Sequence, residues 1–129
     1  MKVIKKLSAV KLRKKLIKEC DTLVAKIVKA RHPYCVICVQ QGEKRSPVME
    51  AGHLISRRYY SLRWNLYNVF TQCQYHNSLH RFDTHPFDSW YIQEFGLKAW
   101  EYLHEKKKET RQWKVWQLEE LRDELKLML

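Results

Sequence analysis

Apolar positions near the start of the chain recur at intervals of three and four residues. Within residues 8–30 they share one side of a helix: Leu16, Ile17, Cys20, Leu23, Val24, Ile27 and Val28. This spacing predicts one amphipathic helix. Ser8 is a suitable N-cap, and Pro33 should end the helix, because the residue before a proline avoids helical backbone angles.

The pattern changes after this helix. Residues 34–39 are rich in β-branched side chains and predict a strand that leads into a knuckle. Residues 40–47 contain a glycine and a proline and predict a turn or hairpin loop. Residues 48–55 alternate weakly between apolar and polar positions and predict a second strand.

The remainder of the chain predicts helices. A short one covers residues 77–81, another covers 86–95 with Gly96 after its end, and residues 97–108 form a further helix or its continuation. Thr110 is a candidate cap for the last helix. Its apolar positions repeat at three-four-three spacing: Leu118, Leu121, Leu125 and Met128.

Length and charge narrow the class of protein. The 129 residues fit one domain, divided into a basic helical arm (1–33), a central segment (34–82) and C-terminal helices (83–129). Lys and Arg total 25 against 14 Asp and Glu, and nine of the eleven net positive charges lie in residues 1–31. This excess favours DNA as partner, because contacts to phosphates release condensed counterions. The candidate contacts on the arm are Lys11, Lys14, Lys15 and Lys18.

A basic helix can also lie on an anionic membrane. Such helices usually carry interfacial Trp or Phe, and this arm contains neither. No apolar run approaches the ~20 residues of a transmembrane helix, and the start lacks the apolar segment of a signal peptide. We therefore expect a cytoplasmic protein with no membrane partner.

Four residues have the spacing of zinc ligands. Cys35 and Cys38 form one close pair, and Cys73 and His76 form a second. Structural zinc accepts three cysteines and one histidine. The alternatives are buried thiols, as expected for Cys20 on the first helix, a thioredoxin-type redox pair, and an ordinary histidine at position 76.

Further motifs lie between the two pairs of candidate ligands and directly after the second pair. They are Ala51-Gly52-His53, Arg63-Trp64-Asn65-x-x-Asn68, Gln72-Cys73 and Asn77. Together with the Cys-x2-Cys pair, they resemble the bacteriophage NinG (Rap) recombination endonucleases. The resemblance covers residues 34–81, extends more loosely into the C-terminal helices, and does not cover the basic arm well.

The resemblance implies a fold and an activity. That family is similar to the HNH, or ββα-metal, nucleases, whose zinc-bearing members include phage endonuclease VII. It implies an α+β fold with a zinc-stabilised, treble-clef-like ββα-metal core, flanked by an N-terminal basic helix and C-terminal helices. It also implies hydrolysis of DNA in branched recombination intermediates, such as Holliday junctions and D-loops. The cofactors would be structural Zn²⁺ and catalytic Mg²⁺ or Mn²⁺.

Residue roles follow from the same resemblance. His53 would be the general base, Asn77 a ligand of the catalytic ion, and His80 would line the site one turn later. Asn68 would either fix the tautomer of His53 or brace the loop through backbone hydrogen bonds. This set matches the needs of phosphodiester hydrolysis, which requires a base near neutral pKa and a cation at the phosphate. The alternative for His53 is a structural histidine.

One position departs from the wider class, which places an acidic metal ligand directly before the catalytic histidine. Here that position is Gly52, and the nearest carboxylate is Glu50. In a regular strand, residues 50 and 53 point to opposite faces, so Glu50 could assist only across a turn or bulge, and otherwise it is a solvent or salt-bridge residue. The remaining candidate phosphate contacts are Arg57, Arg58, Arg63 and Arg81.

Two questions stay open at this level. A zinc-stabilised DNA-binding module without catalysis is the alternative to a nuclease, and Gly52 keeps it open. We also expect a homodimer through the apolar stripe of the last helix, supplemented by Trp113 and Trp116, because two-fold symmetry gives paired active sites. The alternative is that this stripe packs on the chain's own helices.

Overall fold

The computed structural model describes the backbone of residues 2–129 and the side chains of residues 8–129. Met1 and the side chains of residues 2–7, part of the predicted basic arm, lie outside this range. The described elements confirm the α+β class, and no helix among them is long and apolar enough to cross a membrane. In chain order they are α1 (Lys2–Arg31), α2 (Val36–Gln41), β1 (Met49–His53), β2 (Val69–Cys73), α3 (Gln74–Leu79), α4 (His85–Phe95), α5 (Leu97–Lys106) and α6 (Val115–Leu127).

The two strands form an antiparallel sheet with a regular register, from Met49 opposite Cys73 to His53 opposite Val69. Helices α1 and α3 both contact the sheet. Ala51 packs with the α1 side chains, whereas Glu50 bonds to a side chain of α3. Because side chains alternate along a strand, His53 lies on the α1 face with Ala51. Within residues 2–129, β1 pairs with β2 alone, so its other edge carries no strand.

Helix α1 packs against α6. Leu16 and Cys20 of α1 are fully buried in one cluster with Leu118 and Leu125 of α6, and Trp64 and Val69 complete this cluster. The stripe of the last helix therefore packs inside the chain. The predicted dimer interface through Leu118 and Leu125 is wrong, because these side chains are 0% and 2% exposed.

A second cluster lies on the other side of the sheet. Phe70 of β2 is surrounded by aromatic rings of α4, with centroid distances of 4.9 Å to Trp90, 5.9 Å to Tyr91 and 6.5 Å to Phe87. Leu103 of α5 is buried in the same cluster. The sheet thus lies between two apolar clusters, which hold α1 on one face and α4 on the other.

Two predictions for the N-terminal half are wrong. Helix α1 begins at Lys2 rather than at a cap on Ser8, because no glycine or proline interrupts residues 2–7. Residues 34–39 do not form a strand. There Cys35 Sγ accepts a hydrogen bond from the Cys38 amide at 3.4 Å and starts α2, and Gly42 ends it with a φ of +66°. The second strand of the sheet is β2 instead.

Two boundaries in the C-terminal half are also clear. Gly96, with a φ of +93°, separates α4 from α5, so α5 is a helix of its own. Helix α6 begins at Val115, and Gln117 Oε1 accepts a hydrogen bond from the Lys114 amide at 2.9 Å. The prediction of Thr110 as the cap is therefore wrong.

The packing of α6 on α1 can be tested by truncation. Leu118→Ala should lower the free energy of unfolding by about 2–5 kcal/mol, because it removes a fully buried side chain from a closed cluster. Leu127→Ala is the control, since Leu127 is 90% exposed, and it should change stability by less than about 0.5 kcal/mol. Denaturant titration measures both. Equal small effects would contradict this packing.

Candidate metal centre and catalytic site

Four predicted zinc ligands meet between α2 and the junction of β2 with α3. Their ligand atoms all lie within 4.8 Å of one another. Nδ1 of His76 is 3.4 Å from the Sγ atoms of Cys35, Cys38 and Cys73, and the last two sulfurs are 3.8 Å apart. A tetrahedral zinc ion with ordinary bond lengths has ligand separations of about 3.6–3.8 Å. The cluster could therefore hold a structural zinc ion.

Burial controls the protonation of these ligands. Desolvation, together with the neighbouring thiols, raises the pKa of Cys38 to about 12. Burial lowers the pKa of His76 below 6.5, which keeps its imidazole neutral and able to bind a metal. A thiol with so high a pKa loses its proton only when a cation replaces it, so zinc binding should release protons.

Glu43 lies behind the ligand histidine. Its Oε1 is 3.4 Å from Nε2 of His76 and 3.4 Å from Nε of Arg45, and Arg45 stacks over Tyr75 at 4.8 Å. A carboxylate in this position favours the tautomer that leaves Nδ1 free for the metal. Glu43 belongs to no sequence motif and comes from the loop after α2, so the sequence alone does not indicate this contact.

His53 at the end of β1 is oriented by a backbone group. Its Nε2 is 2.9 Å from the carbonyl oxygen of Arg63. A carbonyl only accepts, so Nε2 carries the proton and Nδ1 is the basic nitrogen. Burial lowers the pKa of His53 below 6.5, although the Arg63 carbonyl and Asp21 act in the opposite direction. The imidazole is therefore neutral at pH 7, as a general base must be.

Asn68 braces the loop between the two strands. Its Nδ2 donates to the carbonyls of Ile55 at 2.9 Å and Leu62 at 3.2 Å, and its Oδ1 accepts from the Ile55 amide at 2.9 Å. These bonds satisfy a fully buried amide. Of the two roles predicted for Asn68, the structure supports the brace, because the group that fixes the tautomer of His53 is the Arg63 carbonyl.

Arg63 is held inside the protein. Its guanidinium donates to Asp21 of α1 through Nε at 3.0 Å and Nη2 at 2.7 Å, and Trp64 Nε1 donates to the same carboxylate at 2.8 Å. Burial alone would raise the pKa of Asp21, but these hydrogen bonds lower it below its ordinary value. The prediction of Arg63 as a phosphate contact is corrected to an anchor of the loop on α1. Asp21 was not singled out in the sequence.

The other predicted phosphate contacts are exposed. Arg57 and Arg58 follow β1, and Arg81 follows α3. On α1, the basic side chains on the side opposite the buried cluster form what we call the lysine stripe. Its members are Lys11, Lys14, Lys15, Lys18, Lys26 and Lys29, all exposed.

Two predicted site residues, Asn77 on α3 and His80 just after it, contact β1 and the residue that follows this strand. Nδ2 of Asn77 donates to Oε1 of Glu50 at 3.0 Å, and Nε2 of His80 donates to the Leu54 carbonyl at 2.8 Å. The register contains no bulge, so Glu50 and His53 do point to opposite faces. The structure thus groups Glu50, Asn77 and His80 on the α3 face and places His53 on the α1 face.

Comparison with known proteins gives one result. The family model described as Bacteriophage Lambda NinG protein matches residues 1–129. No curated protein and no solved structure matches the chain.

We predict about one tightly bound zinc ion per chain, measurable by metal analysis after dialysis without chelator. Cys73→Ser should lose the zinc and the folded core, because the ion contributes folding energy.

Glu43→Gln should keep the zinc stoichiometry but bind zinc about 10–100-fold more weakly, as judged by competition with a chromophoric chelator. The control is Glu101→Gln, an exposed carboxylate on α5. Folded protein without zinc would contradict the site.

Proposed function

The chain belongs to the family of the bacteriophage lambda NinG protein, and we propose that it is a metal-dependent DNA endonuclease of the HNH type. The observation that carries this proposal is the arrangement at β1. A neutral histidine base, His53, stands on one face of this strand, and the carboxylate–amide pair of Glu50 and Asn77 stands on the other. The candidate zinc ligands Cys73 and His76 lie at the end of β2, which pairs with β1, and in α3, which carries Asn77.

His53 would activate the attacking water. Its Nε2–H is committed to the Arg63 carbonyl, so Nδ1 is the nitrogen that would take the proton. The hydrogen bond also resists rotation of the ring. Since burial keeps the imidazole neutral, no proton has to leave it before the reaction begins.

Asn77 and Glu50 would hold the catalytic cation, Mg²⁺ or Mn²⁺. Amide and carboxylate oxygens are ligands suited to such hard ions. When bound, the cation would neutralise charge on the phosphate and on the leaving oxygen. Asn77 follows the zinc ligand His76 directly, so the structural cluster sets the position of this amide.

The two groups could act on one phosphate at the unpaired edge of β1. Because Glu50 and His53 point to opposite faces of β1, one phosphate could contact both only at an edge of this strand. Within the described residues, β1 pairs on its other side with β2 alone. The proposal therefore requires the scissile phosphate to lie at this edge, with Arg57 and Arg81 nearby.

The lysine stripe would bind the DNA backbone. It runs from Lys11 to Lys29, about 27 Å along the helix at 1.5 Å per residue. The side of α1 that carries the lysine stripe is exposed, whereas the opposite side is buried against α6 and the sheet. A stripe of this kind binds phosphates without reading sequence.

Branched DNA is the proposed substrate class, because the family is connected with recombination. Resolving a four-way junction requires cuts on two opposed strands, and a two-fold dimer would provide two equivalent sites. The interface would have to use a surface other than the buried side of α6. Trp116 is a candidate contact, since it is 55% exposed on this helix.

His53→Ala should lower the rate of plasmid nicking in Mg²⁺ or Mn²⁺ by about 10²–10⁴-fold, the usual contribution of a general base. DNA affinity should change little, because the base acts on water. His85→Ala is the control, since His85 is an exposed histidine at the start of α4.

For the wild type, the nicking rate should rise with pH around a midpoint below 6.5, because the neutral His53 ring is active and burial lowers its pKa.

Two outcomes would contradict this proposal. A wild-type protein that binds DNA but does not nick it with either ion would be the zinc-stabilised binding module. Equal loss of binding and cleavage in His53→Ala would make His53 a structural residue.

The lysine stripe predicts a salt effect. Changing Lys11, Lys14, Lys15 and Lys18 to Gln should reduce the slope of log K against log salt by about 0.9 for each lysine that contacts a phosphate. The control removes the same charge elsewhere on the surface, at Lys44, Lys98, Lys108 and Lys126, which are all exposed. Fluorescence anisotropy with labelled junction DNA measures both slopes. Equal slopes for the two variants would remove α1 from the interface.

A further inference from the structure

The space between β1 and α3 contains an oriented amide. Nδ2 of Asn77 donates to Oε1 of Glu50 at 3.0 Å. Because a carboxylate only accepts, this contact fixes which end of the Asn77 amide is NH₂. Its Oδ1 is consequently turned toward Gly52, where a Cβ would stand 2.9 Å from it.

Gln72 of β2 points into the same space. It is 0% exposed, and neither Nε2 nor Oε1 has a hydrogen-bond partner among the residues that the structure describes. A Cβ on Gly52 would overlap Nε2 of Gln72. The Gln72 amide and Asn77 Oδ1 thus both lie next to Gly52. Buried amides are nearly always bonded, so two unpaired polar atoms on one side chain indicate a ligand.

Gly52 and Gln72 are therefore linked. The Gln72 amide fills the space that any side chain at position 52 would need. Gln72 reaches this space from the neighbouring strand, because residues 50 and 72 are paired in the register and 52 lies on the same face.

We propose that Gln72 is a ligand of the divalent cation, together with Asn77 and Glu50. This inference rests on the proposed function for the identity of the ion as a catalytic one. Neither end of the Gln72 amide has a hydrogen-bond partner within the described part of the chain to fix its orientation, so a half-turn brings Oε1 to the position next to Gly52 that Nε2 occupies. Oε1 of Gln72, Oδ1 of Asn77 and the Glu50 carboxylate then give three oxygen ligands and one negative charge, a set suited to Mg²⁺ or Mn²⁺. The three proposed ligands thus come from three elements, β1, β2 and α3.

The test is Mn²⁺ binding to the zinc-loaded full chain, followed by the loss of the free-ion signal in electron paramagnetic resonance. The wild type should bind about one Mn²⁺ per chain. Gln72→Met keeps the length of the side chain but has no oxygen, and it should bind Mn²⁺ at least about 10-fold more weakly. Gln72→Glu should bind it more tightly than the wild type. Gln112→Met, an exposed position, is the control and should match the wild type.

A second variant protects the test against misfolding. Gly52→Asp alone should lose Mn²⁺ binding and stability, because its side chain collides with Gln72. Combined with Gln72→Ala, it should recover Mn²⁺ binding, since the carboxylate then occupies the space that the amide has left.

The folding of Gln72→Met is checked separately. Its zinc content and thermal midpoint, measured without Mn²⁺, should stay at wild-type values or rise, because an unpaired buried amide has been removed.

The outcomes separate this inference from the nuclease proposal. Saturable Mn²⁺ binding that is equal in the wild type and Gln72→Met, or absent from the wild type, would overturn the role of Gln72. Mn²⁺ binding that depends on Gln72 in a protein that does not cut DNA would support the ion site and refute the nuclease.

Discussion

The cluster of Cys35, Cys38, Cys73 and His76, which could hold a structural zinc ion, is the constraint on which the rest of the structure depends. It joins the start of α2 to the junction of β2 with α3, two segments separated by more than thirty residues. A small sheet of two strands has little stability of its own in water. A metal ion bound there would fix the end of β2 against β1 and also the first turn of α3. It would thereby hold Asn77, the residue after His76, in its contact with Glu50.

A second constraint acts from the other face of the sheet. The carboxylate of Asp21 holds Arg63 and Trp64 on α1, and the carbonyl of Arg63 in turn holds the ring of His53. The basic helix therefore has two roles in this account. Its buried side orients the loop that positions His53, the proposed base, and its exposed lysines face away from the core, where the proposed function places DNA. The two halves of the candidate site are thus supported independently, one by the metal cluster and one by an ion pair.

The sequence predicts best where the chemistry is local. The four ligands follow from their close spacing, and the buried side of α1 follows from its periodicity. Residues 34–39 were wrongly predicted as a strand because their β-branched residues favour one, whereas the turn between the two cysteines starts a helix. β2 was missed because all five of its residues are buried, so apolar and polar positions do not alternate. The sequence could not show what the apolar stripe of α6 packs against, because a dimer interface and packing on the chain's own helices need the same spacing of apolar residues. The surroundings of Gln72 and Glu43 follow only from the tertiary structure. The Gln72-Cys73 motif contains Gln72 but does not indicate that its amide lies next to Gly52, and Glu43 belongs to no motif.

The most direct test of this account is an anomalous difference map from a crystal of the zinc-loaded protein grown with Mn²⁺ and DNA. The account predicts a zinc peak inside the cluster of three cysteines and one histidine. It also predicts a separate manganese peak between β1 and α3, next to Glu50, Gln72 and Asn77, with a phosphate at the unpaired edge of β1. Manganese bound elsewhere, or a phosphate remote from His53, would contradict it.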